Sequence, residues 1–234
     1  YLPDPAHNVN GPAGGAAVNK VRRTAAGTYE ATLPYLGKLG GTVHVTAYGN
    51  TANTCVVLGW FPVDGDQVVR VECRDTTASL ADTRFTLSFV NGPSAPRIGY
   101  AWVSPWASVD PTYAFNATGG DVAAQRLDVG YYKVIFHGLG NPADDHGTVQ
   151  VTAYQGATRC HADNMGAGGT TGEQVRVKCF DFKGNPKDNF FTVTYVADTG
   201  ILGVTPAAYA TVAWELLHPF NVTAAGLVPG TTVL

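Results

Sequence analysis

Apolar and polar residues alternate along most of this chain. In Val69-Arg70-Val71-Glu72-Cys73 the apolar side chains and the cysteine share one face, while Arg70 and Glu72 take the other. Val175-Arg176-Val177-Lys178-Cys179 repeats the arrangement, and Phe85-Thr86-Leu87-Ser88-Phe89 and Phe191-Thr192-Val193-Thr194-Tyr195 alternate large apolar with small hydroxyl residues. A period of two is that of a strand with one buried face. Further strands are expected at 28–33, 43–48, 55–60 and 100–103, with counterparts at 131–136, 149–154, 158–163 and 209–214. Turn signals separate them: Gly40-Gly41, Asp64-Gly65-Asp66, Asn91-Gly92-Pro93, Gly168-Gly169 and Lys183-Gly184-Asn185-Pro186. No segment carries the period of an amphipathic helix.

The pattern occurs twice. Asp4-Pro5 through Asn10 matches Asp110-Pro111 through Asn116, and Val45-Thr46-Ala47-Tyr48 matches Val151-Thr152-Ala153-Tyr154, each 106 residues on. Cys73 and Asp75 match Cys179 and Asp181; Asp82 and Phe85-Thr86 match Asp188 and Phe191-Thr192. A chain of 234 residues holds two copies of this size, each large enough for its own apolar core. About seven short strands per copy, with turns every 8 to 12 residues, predict two tandem antiparallel β-sandwiches of immunoglobulin-like type at 1–106 and 107–214. Residues 215–234 form a tail. Within it, His218-Pro219-Phe220-Asn221-Val222-Thr223 restates the opening of the second copy, Tyr113 to Thr118, so a third copy starts there.

Four cysteines bear on the compartment. Three pairings are formally open, and duplication favours the one both copies can make, Cys55–Cys73 and Cys160–Cys179. Each would close a loop of about 18 residues and stabilise its copy by roughly 3 kcal/mol in the chain-entropy model. Zinc spacing is absent: there is no Cys-x-x-Cys, and His161 beside Cys160 has no counterpart in the first copy. Disulfides imply an oxidising, extracellular location. The chain begins at Tyr1, which fits a processed secreted protein, and no apolar run is long enough to span a membrane; the longest, 204–217, is broken by Pro206 and Glu215. The net charge of −3 gives no electrostatic footprint for nucleic acid.

The copies share a further set of signals. Gly27-Thr28-Tyr29 to Val90, and Gly130-Tyr131-Tyr132 to Val196, run as Gly-x-Tyr, then Val-Thr-Ala-Tyr, a cysteine, a second cysteine shortly before an aspartate, and Asp-x-x-Phe-Thr. This resembles repeat segments of secreted actinobacterial proteins. The resemblance implies secretion and β structure and adds nothing on catalysis.

Comparing the copies filters the candidate chemistry. Of the five serines, Ser79, Ser88, Ser94 and Ser104 lie in the first copy and Ser108 at its boundary with the second, none in a Gly-x-Ser-x-Gly elbow, so no nucleophilic triad is expected. Lys133 and Lys178 stand in the second copy where Glu30 and Glu72 do in the first, and Glu173 and Glu215 do not recur either, so nothing in the sequence points to a carboxylate pair for glycoside hydrolysis, though one drawn from different elements stays open. His7, His44, His137, His146, His161 and His218 are scattered without ligand spacing. Asp75, Asp82, Asp181 and Asp188 do recur; they read first as turn caps and only weakly as calcium ligands. Trp60, Trp102, Trp106 and Trp214 would pack in the core or form a sugar-stacking platform. Asn116 and Asn221 sit in Asn-x-Thr sequons at one repeat position, which the repeat explains without a glycan.

The expectation is a secreted, non-enzymatic structural or surface-assembly protein with no cofactor. It would associate with itself or another extracellular protein through a strand at Pro219, Phe220, Asn221, Val222 and Thr223, the competing reading being that this tail covers the edge of its own second sandwich. Two alternatives stand beside it. One is a carbohydrate-binding module; the other is a secreted protease inhibitor using the loop 91–97, where Pro93 and Pro96 frame Ser94-Ala95.

Overall fold

The computed structural model describes residues 8–10, 18–140, 147–167 and 172–197. Among these there are fourteen strands and no helix: β1 (Lys20–Ala25), β2 (Thr28–Leu33), β3 (Thr42–Tyr48), β4 (Thr54–Val63), β5 (Asp66–Arg74), β6 (Arg84–Val90), β7 (Ile98–Val103), β8 (Val109–Asn116), β9 (Val122–Asp128), β10 (Tyr131–Phe136), β11 (Gly147–Tyr154), β12 (Thr158–Ala167), β13 (Glu173–Asp181) and β14 (Phe190–Ala197). The fold is all-β. The expected strand at 209–214, with Trp214, Glu215, His7, His146, His218 and the segment 219–223, lies outside the described residues.

The alternating pattern produces the expected one-sided burial. In β2, Tyr29, Ala31 and Leu33 point inward between half-exposed neighbours, and in β10 Tyr132, Val134 and Phe136 do the same. They pack with Val57, Trp60, Val69, Val71 and Cys73 in one core, and with Val175, Val177, Cys179, Phe191 and Val193 in a second. Each such side chain contributes about 1.5–3 kcal/mol when taken from water. A third, smaller cluster joins Val90, Ala95, Ile98, Tyr100 and Val196.

The disulfides pair as the duplication suggested. Cys55–Cys73 ties β4 to β5 and Cys160–Cys179 ties β12 to β13, each at directly opposed ladder positions with Cα atoms 4.0 and 4.1 Å apart. They clamp neighbouring strands within a sheet, not one sheet to another.

Three sheets result among the described residues. One has eight strands in the order β1-β2-β5-β4-β11-β14-β7-β8, one has four in the order β12-β13-β10-β9, and β3 pairs with β6 alone. The pairings are antiparallel except β4 with β11, which touch through one parallel pair, Tyr154 and Val57. The eight-stranded sheet therefore crosses the expected boundary at 106/107. Strand β7 closes the first copy in sequence, yet it pairs along its whole length with β14, from Phe191–Val103 to Val196–Ile98. Its other edge takes β8, the opening of the second copy.

This placement separates two strands of equal sequence pattern. Beside β7, the β14 side chains Phe191, Val193 and Tyr195 are fully buried. Their first-copy equivalents in β6, Phe85, Leu87 and Phe89, are only half-buried, and β3 is the one ladder partner of β6 among the described residues.

Candidate functional site

In the first copy, the Asp82 carboxylate accepts hydrogen bonds from Arg23 Nε (2.8 Å), Gly27 N (2.9 Å) and the Tyr29 hydroxyl (3.1 Å). In the second copy, Asp188 accepts from Arg126 Nε and Nη2 (3.0 and 2.8 Å), Gly130 N (2.8 Å) and the Tyr132 hydroxyl (2.9 Å). The arginine and the glycine N–H lower both carboxyls, that of Asp82 well below the usual carboxylate range. Burial, helped by Asp188, raises the Tyr132 hydroxyl.

Geometry explains why glycine sits in this clip. Gly27 and Gly130 both have φ of 63°, and a Cβ there would lie 2.5 Å from the carbonyl oxygen of Cys73 and 2.4 Å from that of Cys179. Those same cysteines donate their N–H groups back to the glycine carbonyls, at 2.7 and 2.8 Å. The device thus joins an Asp loop, a disulfide strand and the Gly-x-Tyr turn.

Asp75 and Asp181 form a second recurring pair. The Asp75 carboxylate accepts from Thr77 Oγ1, Thr77 N and Ser79 N, and Asp181 from Asn185 Nδ2, Lys183 N and Asn185 N. All four aspartates face N–H, O–H or guanidinium donors, a set that satisfies an anion and repels a cation. Among the described residues no three His, Cys, Asp or Glu side chains converge on a common point. Two of the glutamates are equally engaged: Glu30 pairs with Arg22 (2.8 Å) and Arg70 (3.5 Å), and Glu72 with Arg74 (2.7 Å).

One histidine does enter a site. His44 projects from β3 onto β11 and β14, where its Nδ1 lies 3.1 Å from Thr152 Oγ1 and its Nε2 2.7 Å from Thr194 Oγ1. Thr152 also accepts from Val45 N, and Thr192 Oγ1 donates to the Val43 carbonyl at 2.8 Å. Burial lowers the His44 pKa to about 3, so the ring is neutral, one nitrogen donating and the other accepting. With both nitrogens occupied it has no lone pair left for a metal or a substrate.

Beside this contact is a cavity of about 290 Å³, lined among others by His44, Thr46, Gln150, Thr152 and His161. Gln150 Oε1 is buried there without a hydrogen-bond partner. His161, stacked on Phe180 at 5.5 Å, is pushed below its usual range mainly by burial. Two imidazoles, two hydroxyls and an amide make this a polar crevice suited to small hydrogen-bonding groups. Among the described residues its lining holds no carboxylate and no activated nucleophile.

The aromatic residues divide. Trp60 is buried, donates Nε1–H to the Gly40 carbonyl at 2.9 Å, and meets Tyr113 and Tyr154 edge-on. Trp102 stacks on Phe190 at 5.0 Å. Trp106 is 79% exposed and stands edge-on to Phe190 at 6.2 Å. In the loop 91–97, Ala95 is buried, Asn91 Nδ2 bonds the Lys38 and Leu39 carbonyls, and Gly92 N donates to the Tyr100 hydroxyl. Asn116 of the first sequon is buried, its amide nitrogen held by the His137 carbonyl at 2.7 Å.

Two parts of this picture were absent from the sequence reading. Arg23 and Tyr29, with Arg126 and Tyr132, complete the aspartate clips; the repeated Arg-x-x-x-Gly-x-Tyr spacing was the available signal. The Thr192-Val193-Thr194 row read as the solvent face of a strand, whereas it receives His44. Comparison with protein-family models, characterised proteins and solved structures returns no match, so the function rests on this chemistry alone.

Proposed function

We propose that this protein is a secreted, non-enzymatic structural or surface-assembly subunit, built as two tandem β-sandwiches that share strands at their boundary. The two disulfides fit an extracellular setting. Every group that recurs in both copies serves the framework: the cysteines clamp strands, Asp75 and Asp181 cap turns, and Asp82 and Asp188 bind loop to strand. Such a molecule acts by shape and by the edges it offers.

One observation carries the assembly reading. Asn116 at the start of the second copy holds the His137 carbonyl, and Asn10 at the start of the first holds the equivalent Pro34 carbonyl at 2.9 Å. Both docking places for a repeat-opening asparagine are therefore filled from within. The segment 219–223, with Asn221, is a third such opening. Its place is on another copy of the chain, by exchange with that molecule's N-terminal residues, as in β-strand addition. Contacts of this head-to-tail kind build filaments and not closed dimers. Electron microscopy and sedimentation velocity of the full chain, beside a variant ending at His218, test the reading. Ordered assemblies that disappear with the truncation are expected; assembly unchanged by it ends the proposal.

Trp106 supports a second reading, a carbohydrate-binding module, because an exposed indole beside Phe190 offers a flat apolar face to a sugar ring. Quenching of tryptophan fluorescence by polysaccharides, lost in Trp106→Ala, would support it. A flat titration across common glycans would remove it.

A further inference from the structure

The outer face of the four-stranded sheet differs in charge pattern from its first-copy equivalent. In β13, Val175, Val177 and Cys179 are buried, and Gln174, Arg176, Lys178 and Phe180 alternate with them on the half-exposed side. Across the ladder from β13 to β10, Arg176 stands directly opposite Lys133. The same position in the first copy sets Arg70 opposite Glu30. Side chains so placed have Cβ atoms about 5 Å apart, where like charges destabilise a sheet.

The first copy neutralises its bases: Glu30 lies 2.8 Å from Arg22 and 3.5 Å from Arg70, and Glu72 2.7 Å from Arg74. In the second copy, among the described residues, Lys133 has no ion-pair partner. Arg176 Nη1 donates to the Tyr131 hydroxyl at 3.2 Å, and its Nε is buried without a partner. Arg159 is exposed and lies over the Phe182 ring. Two acids are near, and both are engaged: Asp163 pairs with Lys178 at 2.8 Å, and Asp128 accepts from Val129 N. The Lys133–Arg176 pair breaks a local rule with no compensation inside the chain, which is expected where something outside the chain supplies it.

The neighbouring positions indicate what that is. Asn164 of β12 is in register with Arg176, and Gln125 of β9 with Lys133. Asn164, Arg176, Lys133 and Gln125 thus form one row across all four strands, about 14 Å long at about 4.8 Å per strand. Two cations hold its middle and two amides its ends. Tyr131 lies beside the row, with Lys178 Nζ 5.2 Å over its ring.

We propose that this face binds an acidic polysaccharide. An acid group of the polymer sits between Lys133 and Arg176, where one oxyanion relieves the repulsion and takes the free Nε–H. Hydroxyls of the adjoining sugars bond the Asn164 and Gln125 amides. A polymer whose acid groups are spaced by neutral rings matches a row with cations at its centre only. Duplex DNA does not, because it carries one charge per about 1.7 Å and the whole chain has a net charge of −3. The site shares no residue with the Trp106 face or with the segment 219–223, so it stands or falls independently of both readings above.

Titration calorimetry of the full chain at neutral pH and low salt tests it. Polygalacturonate and chondroitin sulfate serve as acidic probes and dextran as the neutral one. At least one acidic polymer should bind, more weakly as salt is added, and dextran should not. Lys133→Glu copies the first-copy arrangement. It should weaken binding at least about tenfold and leave the thermal midpoint equal or higher, since opposite charges then face across the ladder. Should that variant not fold, Lys133→Gln serves instead. Trp106→Ala and the variant ending at His218 should bind as the full chain does. Binding of neither acidic polymer, or binding unchanged by substitution at position 133, would overturn the proposal. So would equal binding of dextran or loss of binding in Trp106→Ala, which would assign the contact to sugar stacking. Tighter binding of duplex DNA or of phosphatidylserine vesicles would overturn it too, by assigning the face to another polyanion.

Discussion

Acid should loosen the contact between the two copies, and His44 sets where. In the unfolded chain its ring has the ordinary pKa of 6.5; in the folded protein, burial depresses it to about 3. Between those values the unfolded state takes up a proton that the folded state refuses. The contribution is therefore intact above pH 6.5 and is lost as pH falls, at about 1.4 kcal/mol per pH unit, reaching about 2 kcal/mol near pH 5. Among the described residues no charged group is seen to offset this: the ring meets Thr152 and Thr194, with Gln150 across the cavity. The perturbation is His44→Gln, which places at 44 the residue already found at the equivalent position 150. Urea unfolding between pH 7.5 and 4.5 should show the native chain losing about 3 kcal/mol below pH 6.5, with most of that slope gone in the variant. His161 is also lowered by burial and adds in the same direction, so the comparison is made again in a His161→Gln background. Equal slopes with and without His44, or an NMR titration of the folded His44 ring near 6.5, would refute the reasoning.

Other outcomes follow from the clips and the sequon. Gly130→Ala should destabilise by more than about 1 kcal/mol in thermal unfolding, because both φ and the Cys179 carbonyl exclude a Cβ; Gly27→Ala should behave alike, and a neutral result at either would show that the turn relaxes freely. Tyr132→Phe removes the buried hydroxyl that donates to Asp188 and accepts from Asn189 N, and should cost about 1–3 kcal/mol by chemical denaturation. The lowered Asp188 carboxyl contributes stability that is complete above the ordinary carboxylate pKa and fades below about pH 4, so Asp188→Asn should flatten the acid limb of the stability curve. Expressed in a eukaryotic secretory system, the chain should carry no glycan at Asn116, whose amide nitrogen is buried on the His137 carbonyl; mass spectrometry of the 116 peptide checks this.

The sequence showed the strands wherever one face is buried. The alternating runs in β5, β6, β13 and β14 were readable because water and core select opposite faces. Strands β1, β8 and β9 escaped it: Lys20–Ala25 is nearly all exposed, Val109–Asn116 contains Pro111, and Val122–Asp128 turns polar halfway along. The first lies at the end of the eight-stranded sheet and the other two close the ends of theirs, so half the pairing and half the pattern are missing. The disulfide partners followed from duplication, as did the choice of aspartates. What the aspartates bind did not, since Arg23 and Tyr29 are near neighbours in sequence of Gly27 but lie more than 50 residues from Asp82. The exchange of β7 was invisible because a strand's pattern reports which face is buried and not which neighbour covers its edge.

That limit explains why equivalent residues end in different surroundings. Thr46 and Thr152 share a Val-Thr-Ala-Tyr motif, yet Thr46 is exposed and Thr152 is buried under His44. His44 and Gln150 hold equivalent positions on the two sides of one contact. Where the first copy has histidine, both ring nitrogens reach threonine hydroxyls; where the second has glutamine, one amide oxygen faces the cavity without a partner. The divergence at 44 and 150 therefore marks the contact itself, since a solvent-facing pair on two free-standing domains would not be buried against each other. Replacing Gln150 by His should fill the cavity and give its ring Thr46 to bond with. If thermal stability at pH 7.5 then rises, the two sides of the contact are interchangeable; if it falls, the asymmetry between 44 and 150 is required by the packing around each.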